Sequence, residues 1–141
     1  MRSLSPLALL PLLLPLVTSS RSNSTAVQIR NGTLIGTVDP ASLVQKFLGV
    51  PFAEPPIGAL RLQQAVALRN SFGVLEADRF GPACYNAGNA GNASEDCLTL
   101  NIWRPLGSAM GERLPVLVWL YGGGLTAGYT VRRHLLGRDF D

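Results

Sequence analysis

The fold of this chain is decided by one stretch of its sequence, EDCLTLNIWRP, which occupies residues 95–105. From Leu98 to Trp103 the stretch alternates and is rich in residues that favour strands, so it predicts a strand. Cys97 comes just before this strand, and Pro105 ends it. The sequence on both sides predicts further strands, and their patterns indicate the fold class.

Downstream, a turn flanked by proline and glycine leads into residues 116–121, which are apolar at every position. Such a run without alternation is typical of a strand covered on both faces, as in the parallel core of an α/β sheet. The run ends directly in Gly122-Gly123-Gly124. The sequence therefore predicts an α/β fold in which a glycine triplet follows a central strand.

Upstream, the sequence is rich in short β-forming segments separated by turns and loops. Asn31-Gly32 is a dipeptide that favours a two-residue hairpin turn. The upstream sequence predicts a hairpin of residues 26–30 and 33–38, strands at residues 43–50 and 74–77, an ordered loop at residues 53–60, and a glycine- and asparagine-rich loop at residues 81–94.

The glycine triplet has a chemical use at the end of a buried strand. Acyl transfer builds negative charge on a carbonyl oxygen, and backbone N–H groups must reach that oxygen at hydrogen-bond distance. Glycine permits this approach because it has no Cβ to crowd a substrate and it adopts unusual φ angles at little cost. The triplet is therefore a candidate oxyanion hole.

Other interpretations of the triplet remain open on this pattern alone. It is compatible with a flexible turn, and Gly122, Gly124 and Ala127 also satisfy the dinucleotide fingerprint G-x-G-x-x-A. That fingerprint would place the first strand of a nucleotide fold after a long β-rich segment. It would also make the protein, which its N-terminus predicts to be exported, dependent on a cytosolic cofactor. A phosphate-binding P-loop is excluded because no Gly-Lys-Ser/Thr follows. We expect no cofactor.

The N-terminus predicts a secretory signal peptide at residues 1–20. Met1 and Arg2 precede a leucine-rich apolar run that is shorter than the roughly 20 residues of a membrane-spanning helix and ends in small residues. An uncleaved anchor is the alternative. We expect a secreted, extracellular product with no stable membrane anchor. The net charge of +3 reflects arginines near the C-terminus without interleaved aromatic residues, so no nucleic-acid partner is expected.

Export also bears on cysteines and asparagines. Cys84 and Cys97 are the two cysteines, and an oxidising compartment favours a disulfide between them, with two free thiols as the alternative. Three N-x-Ser/Thr sequons make Asn92, Asn31 and Asn23 candidates for glycosylation. Asn92 is the best placed of the three, because it lies in the loop between the cysteines.

The EDCLTLNIWRP stretch closely resembles the signature of the type-B carboxylesterases, the family that includes cholinesterases and the large fungal lipases. Three more segments resemble the same family in the same order, namely residues 49–61, 80–84 and 114–124. The resemblance covers residues 26–130 and is greatest to the fungal members. It implies a partial α/β-hydrolase fold, with the N-terminal β-hairpin and the first strands of the central sheet.

The resemblance also implies roles for particular residues. Gly123 and Gly124 match the donors of the oxyanion hole, with Gly122 in support. Cys97 matches a cysteine that pairs with the equivalent of Cys84. Tyr121 stands where the family often has an aromatic residue, and we interpret it as a packing residue. The implied substrate is a small-molecule or lipid ester.

Other parts of the family's machinery do not occur in this sequence. The family nucleophile lies in a G-x-S-x-G turn, and no such pentapeptide is present. His134 matches no family base, so we interpret it as a surface residue. We therefore expect an N-terminal fragment of a carboxylic-ester hydrolase, inactive alone. A non-catalytic interaction module and a truncated gene-model product are the alternatives.

The sequence accordingly predicts three regions. Residues 1–20 form the signal peptide, residues 21–130 form the N-terminal part of a type-B carboxylesterase domain, and residues 131–141 form an atypical tail that does not match the family. A frame change, an unspliced intron or a mispredicted exon would explain such a tail.

Overall fold

A computed structural model describes residues 25–87, 93–109, 111–124 and 126–130 of the chain. The predicted signal peptide and C-terminal tail lie outside these residues, as does His134. In the described part, the elements are β1 (Ala26–Ile29), β2 (Gly32–Ile35), β3 (Thr37–Asp39), β4 (Val44–Pro51), a 3-10 helix (Gly58–Leu60), β5 (Gly73–Glu76), β6 (Ala83–Cys84), β7 (Ala93–Ser94) and β8 (Thr99–Pro105).

The first sheet has the strand order β1-β2-β5. Strands β1 and β2 form the predicted antiparallel hairpin, and β5, close to the strand expected at residues 74–77, pairs parallel with β2. The two loop residues are Arg30 and Asn31, because Ile29 already pairs with Gly32. The turn therefore lies one residue earlier than the sequence predicts.

The strand predicted at residues 33–38 is divided at Gly36. Its first part is β2, whereas its second part, β3, belongs to another sheet. A Cβ on Gly36 would lie 2.5 Å from the carbonyl oxygen of Lys46 and 2.7 Å from the ring of Phe47. The chain passes so close to β4 at this point that only glycine fits, and this crossing produces two sheets from one β-rich run.

The second sheet has the order β3-β4-β8 and is antiparallel throughout. Strands β4 and β8 agree with the strands expected at residues 43–50 and 98–103, shifted by one or two residues. Their register changes between Phe47 and Val50, where β4 has an irregularity that includes Gly49. The backbone N–H of Gly49 donates to the side-chain oxygen of Asn101, at 2.9 Å.

The hydrophobic core joins the two sheets. Leu34 from β2, Phe47 and Val50 from β4, and Ala77 after β5 are buried against one another. Gln45 on β4 is completely buried as well, and its side-chain oxygen accepts a hydrogen bond from the guanidinium of Arg104 on β8. The buried amide is therefore paired, as a polar group in this position must be.

The expectation of a buried central strand at residues 116–121 is wrong for this structure. These residues are not in a strand, and their side chains are exposed, Leu117 by 94%. A strand of this type needs neighbours that hydrogen-bond to its backbone and layers that cover both faces. Among the described residues nothing provides either, so the apolar run lies in solvent.

The loop expected at residues 81–94 contains one short pairing. The two-residue strands β6 and β7 run parallel to each other, and Cys84 lies opposite Ser94. Within the described part of the chain, no helix is long and apolar enough to cross a membrane.

Candidate active site

The 95–105 segment makes contact with each of the upstream regions that carry the family resemblance. Besides the pairing of β4 with β8, its contacts include an ion pair between Arg61 Nε and Glu95 Oε1 at 2.7 Å, a disulfide between Cys84 and Cys97, the Thr99 side chain against Gly81, and the hydrogen bond from the Gly49 N–H to Asn101. The motif residues therefore act mainly as structural partners of one another.

The disulfide between Cys84 and Cys97 is formed, which confirms the expected pair and makes the free-thiol alternative wrong. The Cα atoms of the two cysteines are 5.1 Å apart, and 13 positions separate them in the sequence. We call the segment that they enclose, residues 84–97, the disulfide loop. The C-terminal end of the disulfide loop, at Cys97, leads into β8, so this end is attached to the second sheet.

The glycine triplet begins a tight turn that we call the glycine loop, described at residues 122–124 and 126–128. The carbonyl oxygen of Gly123 accepts hydrogen bonds from the backbone N–H groups of Thr126 and Ala127, at 3.2 and 3.1 Å. Gly123 has a φ of 148°, and a Cβ there would collide with the Ala127 carbonyl oxygen. The turn therefore requires glycine at position 123.

The amides of Gly123 and Gly124 are the chemically relevant groups of this loop. In the part of the chain that the structure describes, no protein acceptor receives a hydrogen bond from either amide. Both residues are exposed, and a Cβ on Gly124, whose φ is 61°, would meet nothing within 4 Å. Two neighbouring donors on exposed residues are suited to a negatively charged or polarised oxygen.

The glycine loop is tied to the disulfide loop by two hydrogen bonds. The side-chain amide of Asn86 donates to the carbonyl oxygen of Gly128 at 2.9 Å, and the backbone N–H of Ala87 donates to the carbonyl oxygen of Thr126 at 3.1 Å. The same Asn86 amide also donates to the carbonyl oxygen of Cys84, at 3.0 Å. Asn86 thus bridges the disulfide and the glycine loop.

Sequence reasoning missed Asn86. The sequence predicts only that Asn86 lies in a glycine- and asparagine-rich loop, and asparagine is common in turns for reasons unrelated to long-range contacts. The available signal was its position two residues after a disulfide cysteine. Its partner, Gly128, lies 42 residues away in the sequence, and no local pattern reveals such a pairing.

Among the described residues, the titratable groups with shifted pKa values lie outside the glycine loop. The pKa of Asp39 is lowered to about 2, first by a hydrogen bond from the Ser42 hydroxyl, with further help from the Ser42 backbone amide and from Lys46. The Arg79 guanidinium lowers the pKa of Asp78, which in turn raises the pKa of Arg79. These shifts belong to a turn and a surface ion pair.

A cavity of about 270 Å³ adjoins the disulfide, and its walls include Tyr85, Leu98 and the Arg61–Glu95 ion pair. A second cavity of about 190 Å³ lies beside it, with Pro56 and Leu98 as shared walls. Neither includes a residue of the glycine loop. Among the described residues, no cluster of three or more His, Cys, Asp or Glu side chains is arranged to hold a metal ion.

The remaining predicted residues are placed as follows. The side-chain amide of Asn31 donates to the carbonyl oxygens of Leu68 and Asn70, at 3.4 and 3.3 Å. The ring of Tyr121 lies against Gly128, where a Cβ would be 2.9 Å from it. Asn23 and Asn92 lie outside the described residues.

Comparison with known proteins agrees with the family resemblance of the sequence motifs. A family model described as the carboxylesterase family matches residues 23–136. Lipase 5 of Diutina rugosa is 34% identical, with 84% of the chain and 26% of the lipase covered. The secreted triacylglycerol lipase LIP1 of Gibberella zeae is 31% identical, over 77% of the chain and 22% of the lipase. The resemblance to fungal lipases is thereby confirmed.

The fold comparison gives the same assignment. A solved structure of a PNB esterase superposes with a TM-score of 0.65 at 32% sequence identity, covering 76% of this chain and 22% of the esterase. The expected fold class, a partial α/β-hydrolase fold that carries the N-terminal hairpin, is confirmed. The chain spans about a quarter of the length of the relatives that it matches.

Proposed function

The chain belongs to the carboxylesterase family, and from this premise we propose that it supplies the oxyanion-binding part of a carboxylic-ester hydrolase. The carbonyl oxygen of a bound ester accepts hydrogen bonds from the amides of Gly123 and Gly124. Gly122 supports them by keeping the approach free of side chains. The observation that carries the proposal is the pair of exposed amides in a turn closed through the Gly123 carbonyl.

The chemistry follows from where charge develops. When a nucleophile attacks an ester carbonyl, the electron pair of the C=O bond moves onto oxygen, and two fixed N–H donors stabilise that oxyanion more than the neutral ester. Collapse of the tetrahedral intermediate expels the alcohol and leaves an acyl group on the nucleophile, which water then removes. The glycine loop contributes charge stabilisation and orientation to both steps.

The nucleophile is not supplied by this sequence. A serine in a G-x-S-x-G turn performs the attack in esterases of this architecture, and the pentapeptide does not occur among the 141 residues. The chain by itself therefore does not hydrolyse esters. Its substrate class, small-molecule or lipid esters, is proposed from the lipases and esterase that it resembles.

Export belongs to the same proposal. Three observations support secretion: the leader-like sequence of residues 1–20, the disulfide between Cys84 and Cys97, and the similarity to the secreted triacylglycerol lipase of Gibberella zeae. Removal of residues 1–20 on export leaves a chain whose described part carries the disulfide and the glycine loop. N-terminal sequencing of the protein from a culture medium tests the cleavage.

The proposed function is tested by transplantation. Residues 25–130 replace the segment that they match in Diutina rugosa Lipase 5, and the hybrid is assayed with a fluorogenic short-chain ester beside the isolated chain. We expect turnover by the hybrid and only the buffer rate for the isolated chain. A hybrid whose nucleophilic serine is changed to alanine is the control.

Two results would contradict the proposal. Turnover by the isolated chain above the buffer rate would show that the chain contains its own nucleophile. A hybrid that folds, as judged by a cooperative thermal transition like that of the lipase, but does not turn over would show that this glycine loop cannot serve as an oxyanion hole. The second result would favour the non-catalytic interaction module.

A further inference from the structure

We infer that Asn86 is a positioning residue that holds the glycine loop, and with it the two oxyanion donors, in a fixed relation to the disulfide. The inference rests on the proposed function of Gly123 and Gly124 as those donors. It assigns to one side chain a task that no motif of the sequence indicates.

The geometry of the Asn86 side chain supports this role. Its Nδ2 atom lies 3.0 Å from the carbonyl oxygen of Cys84 and 2.9 Å from that of Gly128. An NH₂ group has two hydrogens and so can donate to both oxygens at once. One end of the bridge is thereby fixed on the disulfide cysteine, and the other end is fixed on the last residue of the glycine loop.

Gly128 transmits this restraint to the triplet. It is buried, and its φ is 111°. A Cβ on Gly128 would collide with the carbonyl oxygen of Gly122 and would lie 2.9 Å from the ring of Tyr121. The backbone of residue 128 therefore packs directly against the start of the triplet, and a displacement of Gly128 must move Gly122 or open the turn.

Few hydrogen bonds join the glycine loop to the rest of the described chain. Within residues 121–124 and 126–130, the hydrogen bonds to the rest of the described chain come from Asn86 and from the neighbouring amide of Ala87. The bonds from Thr126 and Ala127 to Gly123 are internal to the loop. They fix the shape of the glycine loop, whereas Asn86 and Ala87 fix its position.

The experiment compares Asn86→Asp with the wild-type chain by amide NMR. The substitution keeps the size of the side chain but removes the NH₂ donor and places a carboxylate beside two carbonyl oxygens. We expect changed amide shifts at Gly123 and Gly124 and an about tenfold faster hydrogen exchange at Ala127, the effect of losing one or two hydrogen bonds. Exchange in β4 and β8 stays unchanged.

Asn70→Ala is the control, because Asn70 is also a loop asparagine, but in the described part of the chain no hydrogen bond joins it to the glycine loop. It leaves the shifts of Gly123 and Gly124 and the exchange of Ala127 unaltered. Wild-type shifts and exchange rates in Asn86→Asp, with β4 and β8 protected, would overturn the inference.

The hybrid lipase gives a second measurement that does not depend on folding of the isolated chain. There, Asn86→Asp lowers kcat about tenfold and changes KM less than twofold, because a displaced donor weakens the transition state more than substrate binding. Equal kcat values in Asn86→Asp and Asn70→Ala would contradict the role. If the unsubstituted hybrid is active and the two variants have equal kcat values, only the inference about Asn86 is refuted. If the unsubstituted hybrid is folded but inactive, the proposed function is refuted.

Discussion

At the scale of single residues, much of the 95–105 segment serves to hold other segments. The side chain of Asn101 accepts a hydrogen bond from the Gly49 amide at the irregularity of β4. Gly49 must be glycine, because a Cβ there would lie 2.6 Å from the Arg79 carbonyl oxygen. The sequence shows that a glycine and an asparagine stand at these positions. It does not predict the partners, because Gly49 and Asn101 are 52 residues apart and meet only after the strands have paired.

Asp39 gives a pH prediction at the same scale. Its carboxylate accepts hydrogen bonds from the Ser42 hydroxyl and the Ser42 and Ala41 amides, and its folded-state pKa is about 2, against an ordinary value of 3.8. Because the folded pKa is the lower one, the stabilisation is complete above about pH 4 and is lost as the pH falls from there through about 2.

We therefore expect Asp39→Asn to be less stable than wild type at pH 6 and to approach wild-type stability near pH 2. Urea midpoints measured between pH 2 and pH 6 provide the check. A constant difference between the two proteins across this range would show that Asp39 does not stabilise the fold through its charge.

At the scale of elements, five of the strands that pair within the described residues were predictable, whereas the pairing of β6 with β7 and the exposed state of residues 116–121 were not. Alternation and turn residues located β1, β2, β4, β5 and β8 to within a few positions, and β1, β2, β4 and β5 contribute side chains to the core. The run at residues 116–121 has the composition of a central strand. Its state depends on neighbours, which composition does not reveal.

The disulfide gives a prediction for the loop elements. Breaking it in Cys97→Ser lowers the free energy of unfolding by about 3 kcal/mol in the chain-entropy treatment of a loop of this size. Since the glycine loop is held through the disulfide loop, hydrogen exchange at Ala127 rises as well.

Cys84→Ser is the matched variant and has the same effect on both quantities. Chemical denaturation and amide exchange measure them. Unchanged exchange at Ala127 in a folded Cys97→Ser protein would mean that the disulfide and the glycine loop are not mechanically linked.

At the scale of the whole molecule, the described chain is a two-sheet support with an exposed apolar segment and a glycine loop. Residues 116–121 present six large apolar side chains to solvent, which is typical of a surface that packs against further protein. The family was foreseeable from the 95–105 motif, and the glycine triplet is the motif on which the oxyanion proposal rests. The hydrogen bond from Asn86 to Gly128 was not foreseeable, because neither residue belongs to either motif.

The proposed function is tested most directly at Gly124, whose backbone amide is proposed to donate to the substrate oxyanion. In the hybrid lipase, Gly124→Ala and Gly58→Ala form a matched pair, because both glycines have similar positive φ angles, 61° and 54°, and open space where a Cβ would lie. The backbone strain of the two substitutions is therefore comparable, about 1 kcal/mol or more.

The measurement is kcat/KM for ester hydrolysis by the two variants. We expect a loss of about 100-fold in Gly124→Ala, because the added Cβ crowds the bound ester and displaces it from the backbone donors, an effect comparable to removing an oxyanion donor, with a change of less than about twofold in Gly58→Ala. Equal values of kcat/KM in the two variants would contradict the proposed function.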